Sequence, residues 1–314
     1  VDIKEILQGI SSRENRAVAR AISIVEDGSP AANEVLSGLA KESAQKAMVL
    51  GVTGAPGAGK STLTDKLIHY CRELGHRVGV IAVDPSSPIS GGAIHGDRIR
   101  MMDHALDQDV VVRSMATRGR LGGVCAAAGA ATRIMSAAGC DPVIIETVGV
   151  GQSEMDIIGI ADVTALVSAP GLGDDIQALK AGLLEVADLM VVNKADLPGA
   201  DLLALELGEV AREKGREVLM TVAAKGEGVD KLLQTMQEIF AKHQESGELL
   251  RRRQLARERE VLDWSQELLR PRLQEMARQE QPDQSGDPRS RAGKIVQRLL
   301  DNISLNSPGS GKQD

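Results

Sequence analysis

Gly54-Ala55-Pro56-Gly57-Ala58-Gly59-Lys60-Ser61, with Thr62 behind it, sets a glycine-rich turn directly before a lysine and a hydroxyl residue. That order suits a nucleoside polyphosphate. Such a turn lets successive backbone N–H groups face anionic oxygens, and a helix starting at its end presents its positive terminus to them. Residues 54–62 are expected to line the nucleotide, with Lys60 on the β- and γ-phosphates and Ser61 on Mg²⁺. An apolar run at 48–52 precedes the turn, and Leu63, Leu67, Cys71 and Leu74 follow at helical spacing, giving strand, loop and helix.

A second set, Asn193-Lys194-Ala195-Asp196, follows the apolar run 189–192. The Asp196 carboxylate can accept from both N1–H and the N2 amine of guanine, and adenine offers neither donor. Buried acceptors left unpaired by the wrong base reject it by roughly 10⁴-fold. Asn193 and the Lys194 stem would hold the loop and cover the ring. Farther on, Ala223-Ala224-Lys225-Gly226-Glu227-Gly228 resembles the S-A-x-x-G-x-G loop whose backbone N–H meets the guanine O6.

Mg²⁺ is hard and octahedral, and it is usually held by one or two carboxylates plus phosphate oxygens and waters. Two carboxylates stand at strand ends: Asp84 after 78–83 and Glu146 after 143–145. Glu146-Thr147-Val148-Gly149 occupies the place of the D-x-x-G segment of GTPases, whose glycine N–H senses the γ-phosphate, with Glu in place of Asp. Asp97, in the glycine-rich stretch between strands, is a further candidate metal ligand. Lys60, Asp84 and Glu146 form the expected catalytic set.

Positioning these groups requires an α/β architecture. From 48 to about 240, β-branched runs at 78–83, 110–112, 143–145, 163–167, 189–192 and 218–222 alternate with helical patterns. This predicts a mainly parallel, doubly wound sheet with helices on both faces and its ligand beyond the carboxyl ends of the strands. Residues 1–45 read as a helical extension, with Ser11 and Glu14 as a capping box. Residues 46–242 then form the nucleotide domain, 243–302 a helical arm that packs on the core or on a second subunit, and 303–314 a tail. The arm is read as exposed, and the Arg251-Arg252-Arg253 run as a solvated face. Ile295, Val296, Leu299 and Leu300 mark a short amphipathic helix within it.

The 314 residues carry a net charge of -7 and only one Trp, one Tyr and one Phe, which argues against nucleic acid as a partner. No apolar run approaches membrane-spanning length, so a cytoplasmic protein is expected. Three cysteines without C-x-x-C spacing and five scattered histidines make a structural zinc site or disulfide framework unexpected.

Beyond the two nucleotide motifs, the chain contains Ala82-Val83-Asp84-Pro85-Ser86-Ser87, Gly91-Gly92-Ala93-Ile94-His95-Gly96-Asp97 and Glu146-Thr147-Val148-Gly149-Val150-Gly151-Gln152-Ser153-Glu154. With these strings it resembles the methylmalonyl-CoA mutase-associated GTPases of the MeaB/ArgK type over roughly residues 5–260. The resemblance implies a homodimeric GTPase using GTP/GDP and Mg²⁺ that gates adenosylcobalamin delivery to, and protects, a B12-dependent acyl-CoA mutase. Two alternatives share the phosphate loop: a metallocentre-assembly GTPase of the nickel-insertion type and an ATP-dependent small-molecule kinase.

Overall fold

The computed structural model describes residues 2–84, 104, 106–116, 123–147, 153–172, 182–279 and 287–305. Seven strands form one sheet: β1 (Val49–Gly54), β2 (Val78–Asp84), β3 (Val110–Ala116), β4 (Val143–Thr147), β5 (Val163–Ser168), β6 (Leu189–Asn193) and β7 (Val218–Thr221). Their order is β3-β2-β4-β1-β5-β6-β7, and every neighbouring pair is parallel. All carboxyl ends therefore open onto one edge of the sheet. Each expected strand is present, and the doubly wound architecture read from the alternation is the observed one.

Helices cover both faces, so strand residues pointing either way are buried and the strands read as continuous apolar runs. On one face, Leu63 and Leu67 of α4 (Lys60–Glu73) and Leu232 and Met236 of α9 (Val229–Glu245) pack on Leu50, Val52 and their neighbours. On the other, α7 (Leu183–Val186) and α8 (Ala200–Glu213) cover Leu166, Met190 and Val192. Also flanking the sheet are α5 (Gly123–Ala137), against β2, β3 and β4, and α6 (Ser153–Ile158), against β1 and β4. Tyr70 and Phe240 only edge the core. Aliphatic side chains fill it, as the aromatic-poor composition requires.

The N-terminal residues form α1 (Ile3–Ser11), α2 (Asn15–Glu26), α3 (Ala32–Gly38) and a 3-10 turn at Ser43–Gln45. They lie on α5, with Val18, Ala21, Ile22 and Val25 of α2 buried. The expected capping box does not form. Ser11 ends α1 and donates from Oγ to the Leu7 carbonyl at 3.1 Å, and Glu14 precedes α2 without a side-chain cap bond. Ser11 is still inside α1 and Glu14 is itself the N-cap of α2, so the two never share a first helical turn; Arg13 turns the chain between the helices at a positive φ of 63°. Asp2 caps α1 instead, accepting from Lys4 N at 2.9 Å.

Two compact units divide the chain, Val1–Glu260 and Val261–Asp314, with the division inside α10 (Glu248–Gln279). The second unit contains the rest of α10 and α11 (Pro288–Leu305), a helix longer than the periodicity at 295–300 suggested. Residues 306–314 of the expected tail lie outside the described residues.

The basic run of α10 differs from its sequence reading. Arg251 is exposed and pairs within the helix with Glu248, but Arg252 grips Asp188 through two bonds of 2.9 and 2.8 Å. Arg253 grips Asp162 through bonds of 2.8 and 2.6 Å. Both carboxylates already work at the amino edge of the sheet. Asp162 Oδ2 accepts from Val49 N at 2.9 Å, and Asp188 Oδ2 accepts from Thr164 N at 2.8 Å. Buried carboxylates satisfying strand N–H groups need a counter-charge, which the two arginines supply. Glu248 feels the same cluster: hydrogen bonds from Arg251 and then Arg252 hold its carboxyl down to about 2.

Candidate functional site

β1 ends at Gly54 and α4 begins at Lys60, so residues 55–59 are the turn between a buried strand and a helix N-terminus. Two glycines are fixed by geometry. Gly54 has φ 140°, and a Cβ there would sit 2.0 Å from the Val167 carbonyl oxygen of β5. Gly59 caps α4 at φ 89°, and a Cβ there would meet Asn193 Nδ2 at 2.4 Å. Any side chain would force the loop off the sheet or away from the Asn193 loop. Lys60 is buried and arches back across the turn, its Nζ donating to the carbonyls of Gly54 at 2.8 Å and Ala55 at 3.0 Å. The following residue, Ser61, donates from Oγ to Glu146 Oε1 at 2.6 Å.

That last contact joins two motifs separated by 85 residues. It follows from register: Glu146 lies opposite Val52 of β1, so both side chains point to the α4 face, where Ser61 sits in the helix's first turn. Glu146 is buried, at 2% exposure. On the other side of β4, Ala82 of β2 pairs with Glu146 and Val83 with Thr147. The backbone of Asp84, which closes β2, is thereby carried to the same end of the sheet, while its side chain lies outside the description. Asp97 and Gly149 also lie outside the described residues.

Asn193, the last residue of β6, is 2% exposed and ties three segments together. Its Nδ2 donates to the Ala58 carbonyl at 2.9 Å, and its Oδ1 accepts from Ala223 N and Thr221 Oγ1, each at 3.1 Å. Lys194 takes a left-handed turn at φ 56°, after which Asp196 emerges exposed. Lys225 Nζ lies 3.2 Å from Asp196 Oδ2. Ala223–Lys225 form a 3-10 turn in which Ala223 N is engaged by Asn193 and Lys225 N donates to the Val222 carbonyl at 2.9 Å.

The sequence reading thus has its phosphate-loop, base-loop and β4 carboxylate residues at one end of one sheet. It missed Thr221, which fixes the Asn193 amide, and the buried hydroxyl pair in which Thr147 Oγ1 donates to Thr53 Oγ1 at 3.3 Å. The only signal for either was a threonine closing an apolar strand.

A phosphate loop between strand and helix in a parallel, doubly wound sheet defines a P-loop nucleotide-binding protein. The LAO/AO transport system kinase has the same fold, with a TM-score of 0.69 at 24% identity over 95% of this chain and 97% of that one. Residues 18–279 match the family model of the methylmalonyl Co-A mutase-associated GTPase MeaB. A Pyrococcus horikoshii protein named as a GTPase is 46% identical over 268 residues, covering 82% of this chain and 84% of that one. The mouse protein named methylmalonic aciduria type A homolog, mitochondrial, is 38% identical over 215 residues, covering 65% of this chain and 52% of its own. The chain belongs to the MeaB family of mutase-associated GTPases. With that membership come guanine nucleotides as the ligand class. Among the described residues no helix is long and apolar enough to cross a membrane.

Proposed function

We propose that the protein is a Mg²⁺-dependent GTPase that gates adenosylcobalamin delivery to a B12-dependent acyl-CoA mutase and protects that enzyme, working as a cytoplasmic homodimer. The observation that carries the chemistry is the 2.6 Å contact between Ser61 and Glu146. A hydroxyl and a carboxylate converging beside the phosphate loop form an all-oxygen donor set of the kind a hard divalent cation prefers, so Ser61 and Glu146, with Asp84 and Asp97, would hold Mg²⁺. When bound, the cation neutralises charge on the phosphoryl oxygens.

The remaining work falls to the chain. The loop N–H groups and Lys60 cradle the β- and γ-phosphates, holding them in line for attack and stabilising charge as it develops. Carboxylates at the ends of β2 and β4 orient water. Gly149 N–H follows the γ-phosphate. Asp196 takes the guanine N1–H and N2 amine. With Ala223 N–H given to Asn193 Oδ1 and Lys225 N–H to the Val222 carbonyl, the base O6 contact falls to Ala224. The mutase role is supported by the family's mutase association and by the mouse relative's name. The helical residues from 243 onward are the proposed dimerising arm.

The test measures GTP against ATP affinity, then GTP hydrolysis with Mg²⁺, alone and with a B12-dependent acyl-CoA mutase. GTP preference with faster turnover in the complex is expected. Equal affinities would remove the guanine site, and an unchanged rate together with nucleotide-independent complex formation would remove the mutase role.

A further inference from the structure

Consecutive residues near the middle of α10 hold two different helices. Glu260 takes a bidentate grip from Arg133 of α5, through Nη1 at 2.6 Å and Nη2 at 2.7 Å. Arg259 reaches Asp156 of α6 at 3.5 Å. The Arg133–Glu260 pair is well shielded, with side chains 29% and 14% exposed, so it counts for more than an ordinary surface pair.

Both helices pack on β4, the strand that carries Glu146. In sequence, α6 begins seven residues after Glu146, and it packs on β1 and β4. Its Ile157 sits where Gly51 of β1 lacks a side chain; a Cβ there would lie 3.1 Å from Ile157 Cγ2. Gly51 pairs with Ile145, the neighbour of Glu146. Asp156, adjacent to Ile157, faces α10 instead of the sheet. α5 packs on β2 and β4, the strands ending at Asp84 and at Glu146-Thr147. Adjacent oxygens on an octahedral cation stand about 2.9 Å apart, so Ser61 Oγ and Glu146 Oε1 part from their 2.6 Å contact when both ligate it. The end of β4 must adjust, and close-packed neighbours feel that shift.

We infer that Arg133–Glu260 and Asp156–Arg259 form a clasp by which the nucleotide state at the carboxyl edge of the sheet is transmitted to α10. The inference rests on Ser61 and Glu146 being ligands of the nucleotide's metal ion. Upstream, α10 is fixed by Arg252 and Arg253 to the amino edge, which does not contact nucleotide. Downstream of the clasp the same helix runs on to Gln279. The clasp is the point at which α10 meets elements that respond to nucleotide, and by linkage a partner that favours one state of α10 changes nucleotide affinity by the same factor.

The experiment uses the full chain with Mg²⁺ and either GDP or a non-hydrolysable GTP analogue, reading amide hydrogen exchange across residues 248–279. Nucleotide affinity and GTP hydrolysis are measured on the same samples. The wild type is expected to show roughly fivefold different exchange between the two states around and beyond residue 260. The double variant Asp156→Asn, Arg133→Met should lose that difference while retaining GTP affinity and basal hydrolysis. The charge-swapped pair Arg133→Glu, Glu260→Arg, in a chain with Asp156 intact, should restore most of it. Equal wild-type exchange in both states with hydrolysis intact would overturn the clasp and leave the GTPase reading standing. An undiminished difference in the double variant, or no recovery in the swapped chain, would also overturn it. Failure to bind either nucleotide would sink the site assignment and the clasp together.

Discussion

Asn193 donates its amide to the Ala58 carbonyl at 2.9 Å, so the loop proposed to read the base is bonded directly to the loop proposed to cradle the phosphates. The two halves of the site are therefore held in one geometry before any ligand arrives. Asn193→Asp keeps the size but cannot donate to Ala58, and it sets a carboxylate against a carbonyl. With each buried hydrogen bond worth about 1 kcal/mol and a buried unpaired charge costing more, a loss of roughly 2–4 kcal/mol is expected. Denaturant unfolding of the apoprotein should show it. GDP and GTP affinity should fall together; a variant of unchanged stability would mean the bond is incidental.

Asp196→Asn replaces one acceptor oxygen with a donor NH₂. GTP binding should weaken by roughly 100-fold, and xanthosine triphosphate, whose O2 accepts from that donor, should bind better than GTP. Titration of the folded variant with both nucleotides decides the point. Retained preference for GTP would place the base elsewhere.

Ser61→Ala removes the donor of the 2.6 Å contact, and Glu146→Gln removes the charge of its acceptor. Both should lower single-turnover GTP hydrolysis by about 10²–10³ and reduce its dependence on Mg²⁺ concentration, with smaller effects on GDP binding. In the wild type, chelation of divalent cations should abolish hydrolysis reversibly. Normal turnover in both variants would show that neither residue serves the metal.

Glu248 makes a pH prediction of definite sign. Its carboxyl is depressed from the ordinary 4.5 to about 2 by hydrogen bonds from Arg251 and Arg252. A depressed carboxyl contributes stability that is complete above the unfolded value and is lost as pH falls through the folded one, here between about 4.5 and 2. Thermal melts across that window should fall more steeply for the wild type than for Glu248→Gln. High salt should narrow the gap, since the cluster lies at the surface. Parallel curves at low salt would refute the assignment.

Much of this was legible in the residues. Lys60, Ser61, Asn193 and Asp196 sit in short motifs whose spacing encodes both the turn and its ligand, and β-branched runs marked every strand. Residues paired across long separations were not. Nothing near Arg252 and Arg253 in sequence announces Asp188 and Asp162, because those carboxylates are made needy only by the strand N–H groups they serve in the fold. A run of charges was therefore read as solvated when two of its members anchor the helix. Ser11 and Glu14 failed for another reason: the helix they were read to open begins only after Glu14, beyond the left-handed turn at Arg13.

The arginine anchors at the amino edge also define the shortest fragment of this chain worth making. A polypeptide ended at the close of α9, where the phosphate-loop, base-loop and strand motifs are all complete, would strip Asp162 and Asp188, 2% and 7% exposed with α10 in place, of their guanidinium partners. Breaking a buried pair by removing one partner costs roughly 3–5 kcal/mol, which water reaching the uncovered carboxylates and His243, 3.7 Å from Asp188, would partly offset. A stop codon placed beyond Glu260 keeps both guanidinia, whereas expression boundaries drawn from nucleotide motifs alone would lose the two anchors and lower the fragment's stability.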